Sequence, residues 1–238
     1  TFFTWPENGG RDITRLKNYD TMTSVFGYKV DFDFFGAYDA GRNRGIVSAA
    51  DHHKVPGKKA WTWGGDDFGI ASEMSLTEAG PEESQYIEVQ SGPLLTQADY
   101  GMLQPQESVE WNECWYPAHG LGQGFEFATR DAVVQAERRD GALFLDILGA
   151  GLFPDALCTV SQGGRVLAES PAALTPAAPC RVTAAPVADG LAIYGPAPAP
   201  RIPDWRSRSV SCCSIRCRAT FSFRARRKAS AWRSAKSS

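Results

Sequence analysis

Two glutamates set among aromatic residues are the first chemical signal in this chain. Glu88 stands in Tyr86-Ile-Glu88-Val-Gln90, and Glu113 in Trp111-Asn-Glu113-Cys-Trp115-Tyr116. In an extended strand successive side chains point to opposite faces, so Tyr86, Glu88 and Gln90 share a face, as do Trp111, Glu113 and Trp115. Trp61 and Trp63 pair by the same rule. A carboxyl group can move a proton or accept a bond from a hydroxyl, and a flat ring can stack on the apolar face of a sugar. The combination predicts a carbohydrate site. Glu88 and Glu113 would act as acid and base, as sugar epimerisation or glycoside hydrolysis by paired carboxylates requires. Trp61, Trp63, Trp111, Trp115 and Tyr116 would wall the site, Tyr86 would project beside Glu88, and Gln90, Asp66 and His119 would bond hydroxyls.

Each assignment has a plainer competitor. The glutamates also fit solvated carboxylates on an outer strand face, and Trp61 and Trp63 also fit a stacked core. His119 lies in the flexible segment Ala118-His119-Gly120, where it could reach a cleft and give up a proton or simply face water. Asp66-Asp67 could bond hydroxyls or hold calcium, or serve turn chemistry. His52 and His53 follow Asp51, but neighbours on a strand diverge, so no metal site is expected. Lys58 and Lys59 read as a solvated turn, since no Gly-rich loop leads into a helix. With no nucleophile elbow, Ser/His/Asp series or nucleotide fingerprint, no cofactor is expected.

The elements that must carry these residues are strands. The 238 residues, 43% of them hydrophobic, suffice for one large domain. Short aromatic and β-branched runs bounded by Gly, Asp or Asn predict strands at 24–30, 33–38, 45–49, 59–63, 85–91, 108–116, 125–136, 142–148, 156–162 and 165–170, with edge strands at 181–184 and 191–194. Ser161-Gln-Gly163-Gly-Arg165 is the clearest hairpin signal. Short helical turns are expected at 69–75 and 97–102. The spacing is that of a large all-β sandwich. No apolar run is long enough for a membrane helix, and no leader pattern is visible, which favours the cytoplasm; a first residue other than Met leaves export open.

Charge divides the chain. Residues 1–200 carry 14 Lys/Arg against 26 Asp/Glu, and residues 201–238 carry 11 against 1. Residues 206–238 lack Leu, Gly, Asp and Glu, 17 of the 33 are Arg or Ser, and Cys212, Cys213 and Cys217 crowd together. The segment resembles GC-rich coding sequence read out of frame; a disordered basic tail is the next reading, and a nucleic-acid arm is disfavoured because such arms rarely concentrate thiols. The expected division is a domain over 1–195 and a Pro-rich linker with an unstructured tail over 196–238. Cys114, Cys158 and Cys180 form no paired framework and read as free thiols.

Three motifs carry a family resemblance: Gly57-Lys-Lys-Ala-Trp61-Thr-Trp63-Gly64, Tyr86-Ile-Glu88-Val-Gln90-Ser-Gly92 and Trp115-Tyr-Pro117. Over about residues 1–195 the chain resembles the bacterial domain of unknown function 5107. That family is similar to the galactose-mutarotase-like β-supersandwich, and its members often continue into tetratricopeptide repeats. The resemblance implies carbohydrate recognition, with glycosidase-like or mutarotase-like chemistry as its enzymatic form; it supplies no catalytic pair. It also implies the alternative of a non-catalytic module that meets protein partners through neighbouring repeat helices. By that resemblance the chain is expected to start inside the domain pattern and to carry its Arg/Ser-rich tail where repeat helices would begin.

Overall fold

Short apolar runs punctuated by Gly, Asp and Asn turns fold as strands along most of the chain. The computed structural model describes residues 3, 5–28, 30–78, 80, 85–162, 165–184, 192–194 and 218–224. In chain order the strands are β1 (Glu7–Asn8), β2 (Arg11–Asp12), β3 (Thr23–Phe26), β4 (Phe34–Asp39), β5 (Arg44–Ala50), β6 (Gly57–Thr62), β7 (Glu88–Gly92), β8 (Glu113–His119), β9 (Phe127–Ala128), β10 (Ala132–Arg139), β11 (Ala142–Gly149), β12 (Phe153–Gln162), β13 (Arg165–Leu174), β14 (Cys180–Ala184), β15 (Ala192–Tyr194) and β16 (Arg218–Arg224). One α-helix, α1 (Asp67–Leu76), follows β6. The fold is all-β, with sheets ordered β4-β5-β8, β14-β11-β10-β9, β13-β12-β16-β15 and β3-β6-β7, besides the small β1-β2 pair. Pairing is antiparallel except between β15 and β16.

The β14-β11-β10-β9 sheet is covered on both faces. Val134 of β10 and Leu145 and Ile147 of β11 pack with Cys158 and Val160 of β12, while Val133 and Leu148 pack with Val47, Tyr116 and Ala118 from the β4-β5-β8 sheet. Burial on both sides explains why Ala132-Val133-Val134 is apolar without alternation. Leu145, Ile147 and Val133 are fully shielded from solvent, each contributing about 1.5–3 kcal/mol of transfer free energy. Among the described residues, neither apolar core draws on β3, β6 or β7.

Differences from the expected elements have local causes. The run 125–136 divides into β9 and β10 because the Thr129 hydroxyl accepts from the amides of Asp131 (3.1 Å) and Ala132 (3.2 Å), forming a turn. The helical turn expected at 97–102 is absent. Instead the Asp99 carboxylate accepts from both the amide (2.8 Å) and the hydroxyl (3.0 Å) of Thr96, a local arrangement that competes with helix. The helix expected at 69–75 is α1, and β8 begins at Glu113, after Trp111. Gln162 pairs with Arg165 as the hairpin signal predicts, residues 163 and 164 themselves lying outside the described residues. Within the stretch 196–238, where no regular structure is expected, β16 runs antiparallel to β12. The rest of that stretch, with Cys212, Cys213, Cys217 and the Pro-rich linker, lies outside the described residues. Among those described, no helix is long and apolar enough to cross a membrane.

Lys58 and Lys59 correct the expectation of a solvated turn: both belong to β6 and are buried. The loop after β7 closes over the strand so tightly that a Cβ at Gly57 would lie 2.1 Å from the Leu94 carbonyl oxygen. Lys59 Nζ donates to Gln97 Oε1 at 2.6 Å. Lys58 Nζ has no hydrogen-bond partner among the described residues, and burial pulls its pKa down against the opposing pull of Asp33. A buried cation without a partner costs stability. Lys58→Met is therefore expected to stabilise the fold by about 1–3 kcal/mol near neutral pH in urea unfolding. A lysine with a depressed folded pKa gains stability as pH rises towards its ordinary value of 10.5, so the advantage of Met should shrink over that range.

Candidate functional site

The register between β6 and β7 assembles the site. Trp61 lies opposite Glu88 and Lys59 opposite Gln90, while on the other flank Ser24 and Phe26 of β3 lie opposite Trp61 and Lys59. Paired residues project from the same face of a sheet. One face of β3-β6-β7 thus carries Phe26, Lys59, Trp61, Glu88 and Gln90.

Aromatic rings enclose the Trp61 end of that face. Trp61 meets Trp63 edge-on with centroids 4.6 Å apart, and Tyr86 edge-on at 6.2 Å. Phe68 of α1 adds a ring 6.0 Å from Trp63. The helix can settle on Trp63 because Gly69 has no side chain: a Cβ there would lie 2.6 Å from the Trp63 carbonyl oxygen and 2.5 Å from that of Gly64. Gly64, at φ 83°, makes the turn between them in a conformation that a side chain disfavours. Trp61, Trp63, Tyr86, Glu88 and Gln90 are all half-buried, presenting ring surface and polar atoms together.

Hydrogen bonds fix the carboxylate among these rings. The Tyr86 hydroxyl donates to Glu88 Oε1 at 2.9 Å, and Gln90 Nε2 donates to Oε2. With a donor on each oxygen, Glu88 has a set orientation. The Tyr86 phenol is raised by burial and then by its bond to Glu88, so it stays a donor at neutral pH. Glu73, a buried residue of α1, accepts the Tyr86 amide at 3.0 Å. Its pKa is raised by burial, which outweighs that bond. Trp63 Nε1 is buried with no acceptor among the described residues.

Other expected site residues fall elsewhere. Glu113 accepts from the Ser91 hydroxyl, and Ser91 alternates with Gln90, so Glu113 lies towards the opposite face of β7 from Glu88. The expected acid–base pair is thereby divided by the strand. Trp115 and Trp111 are partly exposed, and Trp115 meets Phe35 edge-on at 5.8 Å. Tyr116 is no wall. It is buried in the apolar core, its hydroxyl donating to the carbonyls of Thr129 (2.5 Å) and Ala132 (3.1 Å), because strand alternation turns it inward from Trp115. His119 ends β8, six residues from Glu113 or about 20 Å along a strand, with Nε2 at 2.9 Å from the Pro176 carbonyl oxygen. Its bond ties it to the segment before β14, and among the described residues no hydrogen bond or ring contact joins it to the Trp61–Glu88 cluster. Asp66 serves turn chemistry, capping α1 by accepting the Gly69 amide at 2.7 Å.

Phe68, Glu73, Lys59 and Gln97 were not picked out as site residues from the sequence. Lys59 had a usable signal, its position two before Trp61 in one strand. Glu73 had little, since α1 lacks a marked apolar stripe.

Residues 3–118 match the family model for DUF5107, a domain of unknown function. The DUF5107 match runs through β7 and nearly all of β8, so it contains the whole Trp61–Glu88 cluster, whereas β9 to β14 lie beyond it. Among solved structures, a TPR-domain containing protein from Parabacteroides distasonis ATCC 8503 is similar over 46% of this chain, with 24% identity and a TM-score of 0.32. This chain covers 18% of that one.

The raised pKa of Glu73 has a measurable consequence. A carboxyl whose folded pKa exceeds its unfolded value favours the folded state when protonated, and that contribution is lost as pH rises from near 4.5 through the folded pKa. Glu73→Gln keeps an acceptor for the Tyr86 amide and cannot ionise. In urea unfolding, the stability of the variant relative to wild type should rise between about pH 4 and pH 7.

Proposed function

We propose that the DUF5107 segment binds carbohydrate on the Trp61–Glu88 face of the β3-β6-β7 sheet. The observation that carries this reading is a carboxylate held by Tyr86 and Gln90 among the half-buried rings of Trp61, Trp63 and Tyr86. Rings offer stacking surface to the C–H face of a sugar, and a carboxylate with lone pairs to spare accepts its hydroxyls. Trp61 and Trp63 supply the stacking surface, and Glu88 and Gln90 the polar contacts. Binding is favoured over bond cleavage, since paired-carboxylate hydrolysis needs two carboxyl groups flanking one bond, and Glu113 lies on the far side of β7. The stacked antiparallel sheets support the galactose-mutarotase-like assignment of the domain.

A second reading rests on a different surface. Between β7 and β8, Tyr100, Met102, Leu103 and Val109 are exposed, with Tyr100 at 92%. Apolar residues gathered on one loop suit a protein partner, as an interaction module would present.

Tryptophan fluorescence against a panel of neutral oligosaccharides separates the two. Saturable quenching is expected for a sugar site, weakened about twofold to twelvefold in Trp61→Ala, the value of an aromatic contact of about 0.5–1.5 kcal/mol. Glu88→Gln should weaken it also, and Tyr100→Ser should not. No quenching by any sugar of a folded sample would favour the interaction module.

A further inference from the structure

His52 and His53, expected to diverge as neighbours on a strand, lie instead on the turn that joins β5 to β6. The Asp51 carbonyl accepts from the amides of Lys54 (3.0 Å) and Val55 (2.9 Å), which winds the chain through about one helical turn. Winding brings the two imidazoles together, with ring centroids 3.9 Å apart and planes inclined by 38°. One ligand atom from each of Asp51, His52 and His53 lies within 4.8 Å of the others.

Each imidazole is also oriented. His52 Nδ1 is 2.7 Å from Asp33 Oδ1, and His53 Nδ1 is 3.0 Å from Asp51 Oδ1. The two carboxylates are anchored in turn, Asp33 accepting the His52 amide at 3.0 Å and Asp51 the His53 amide at 2.9 Å. At His52 the Asp33 carboxylate holds the ring proton on Nδ1 and leaves the Nε2 lone pair for a metal, the arrangement of carboxylate–histidine–metal sites. Tetrahedral ligands about 2.0–2.1 Å from a zinc ion lie about 3.3 Å apart. The 3.0 Å between Asp51 Oδ1 and His53 Nδ1 is already close to that spacing, and both side chains are exposed (52% and 75%).

We propose that Asp51, His52 and His53 form a binding site for a divalent transition-metal ion of the zinc, nickel or copper class, with Asp33 as a positioning residue. The ligands are Nε2 of His52, Nδ1 of His53 and a carboxylate oxygen of Asp51, with water completing the set. Two imidazoles select these ions over calcium and magnesium, which take oxygen ligands. A bound ion would pin the turn from which β6 sets out towards Trp61. The site stands apart from the carbohydrate reading and does not depend on it.

Zinc titration of the full chain, followed by imidazole 1H–15N NMR, tests the proposal. The chain has three histidines, so His119 is an internal control, and binding by the six cysteines does not register directly in imidazole signals. The signals of His52 and His53 are expected to shift together and saturate at one equivalent while that of His119 stays in place. His53→Ala, a change at an exposed side chain, should abolish the saturable response of His52, and Asp33→Asn should weaken it about tenfold. An equal response from all three histidines, no response, or an unchanged His52 titration in His53→Ala would overturn it.

Discussion

The register between β6 and β7 is the constraint on which the candidate site depends. Because side chains alternate with a period of two, a slip of one residue would send Glu88 to the other face and leave Trp61 opposite an apolar neighbour. The observed pairing sets Trp61 against Glu88 and Lys59 against Gln90. Tyr86, just before β7, and Gln90 within it then hold the carboxylate from either side. The close approach of the loop after β7 to Gly57, and the seat of α1 on Trp63, frame the two ends of that face.

Stability and recognition are drawn from different parts of the molecule. The β14-β11-β10-β9 sheet, sheathed on both faces, supplies both apolar cores. Among the described residues the β3-β6-β7 sheet contributes to neither; it buries Lys58 and Lys59 instead, and the helix α1 beside it buries Glu73. Burying ionisable groups opposes stability, and departures from local consistency of this kind gather where a protein binds or reacts. The Ser91–Glu113 bond ties this sheet to β8, so the acidic residue nearest in character to Glu88 acts as a tether between sheets.

The sequence made strands legible where alternation was strong and turn residues were explicit. Tyr86-Ile-Glu88-Val-Gln90 and the Ser161–Arg165 hairpin are such places, and the shared face of Tyr86, Glu88 and Gln90 follows from period two alone. Which face of β7 another strand would meet is a tertiary fact, so the separation of Glu113 from Glu88 was not legible. Tyr116 was misplaced for a related reason: alternation puts it opposite Trp115, but only the packing against Ala128 and Val133 says which of the two turns inward. His52 and His53 were read as strand residues, and the turn closed by the Asp51 carbonyl reversed the conclusion about their divergence. Glu73 escaped notice because a charged residue in a helix is ordinarily solvated, and its burial depends on the return of the chain at Tyr86.

Saturation-transfer difference NMR with a bound oligosaccharide tests the central claim most directly, since it reports which ligand protons touch the protein. Sugar C–H protons of one ring face should receive the strongest transfer in the wild-type chain, and the transfer should collapse in Trp61→Ala with the fold retained. Transfer that is unchanged in Trp61→Ala, or absent from a folded sample across the panel, would contradict the assignment of the Trp61–Glu88 face as the carbohydrate site.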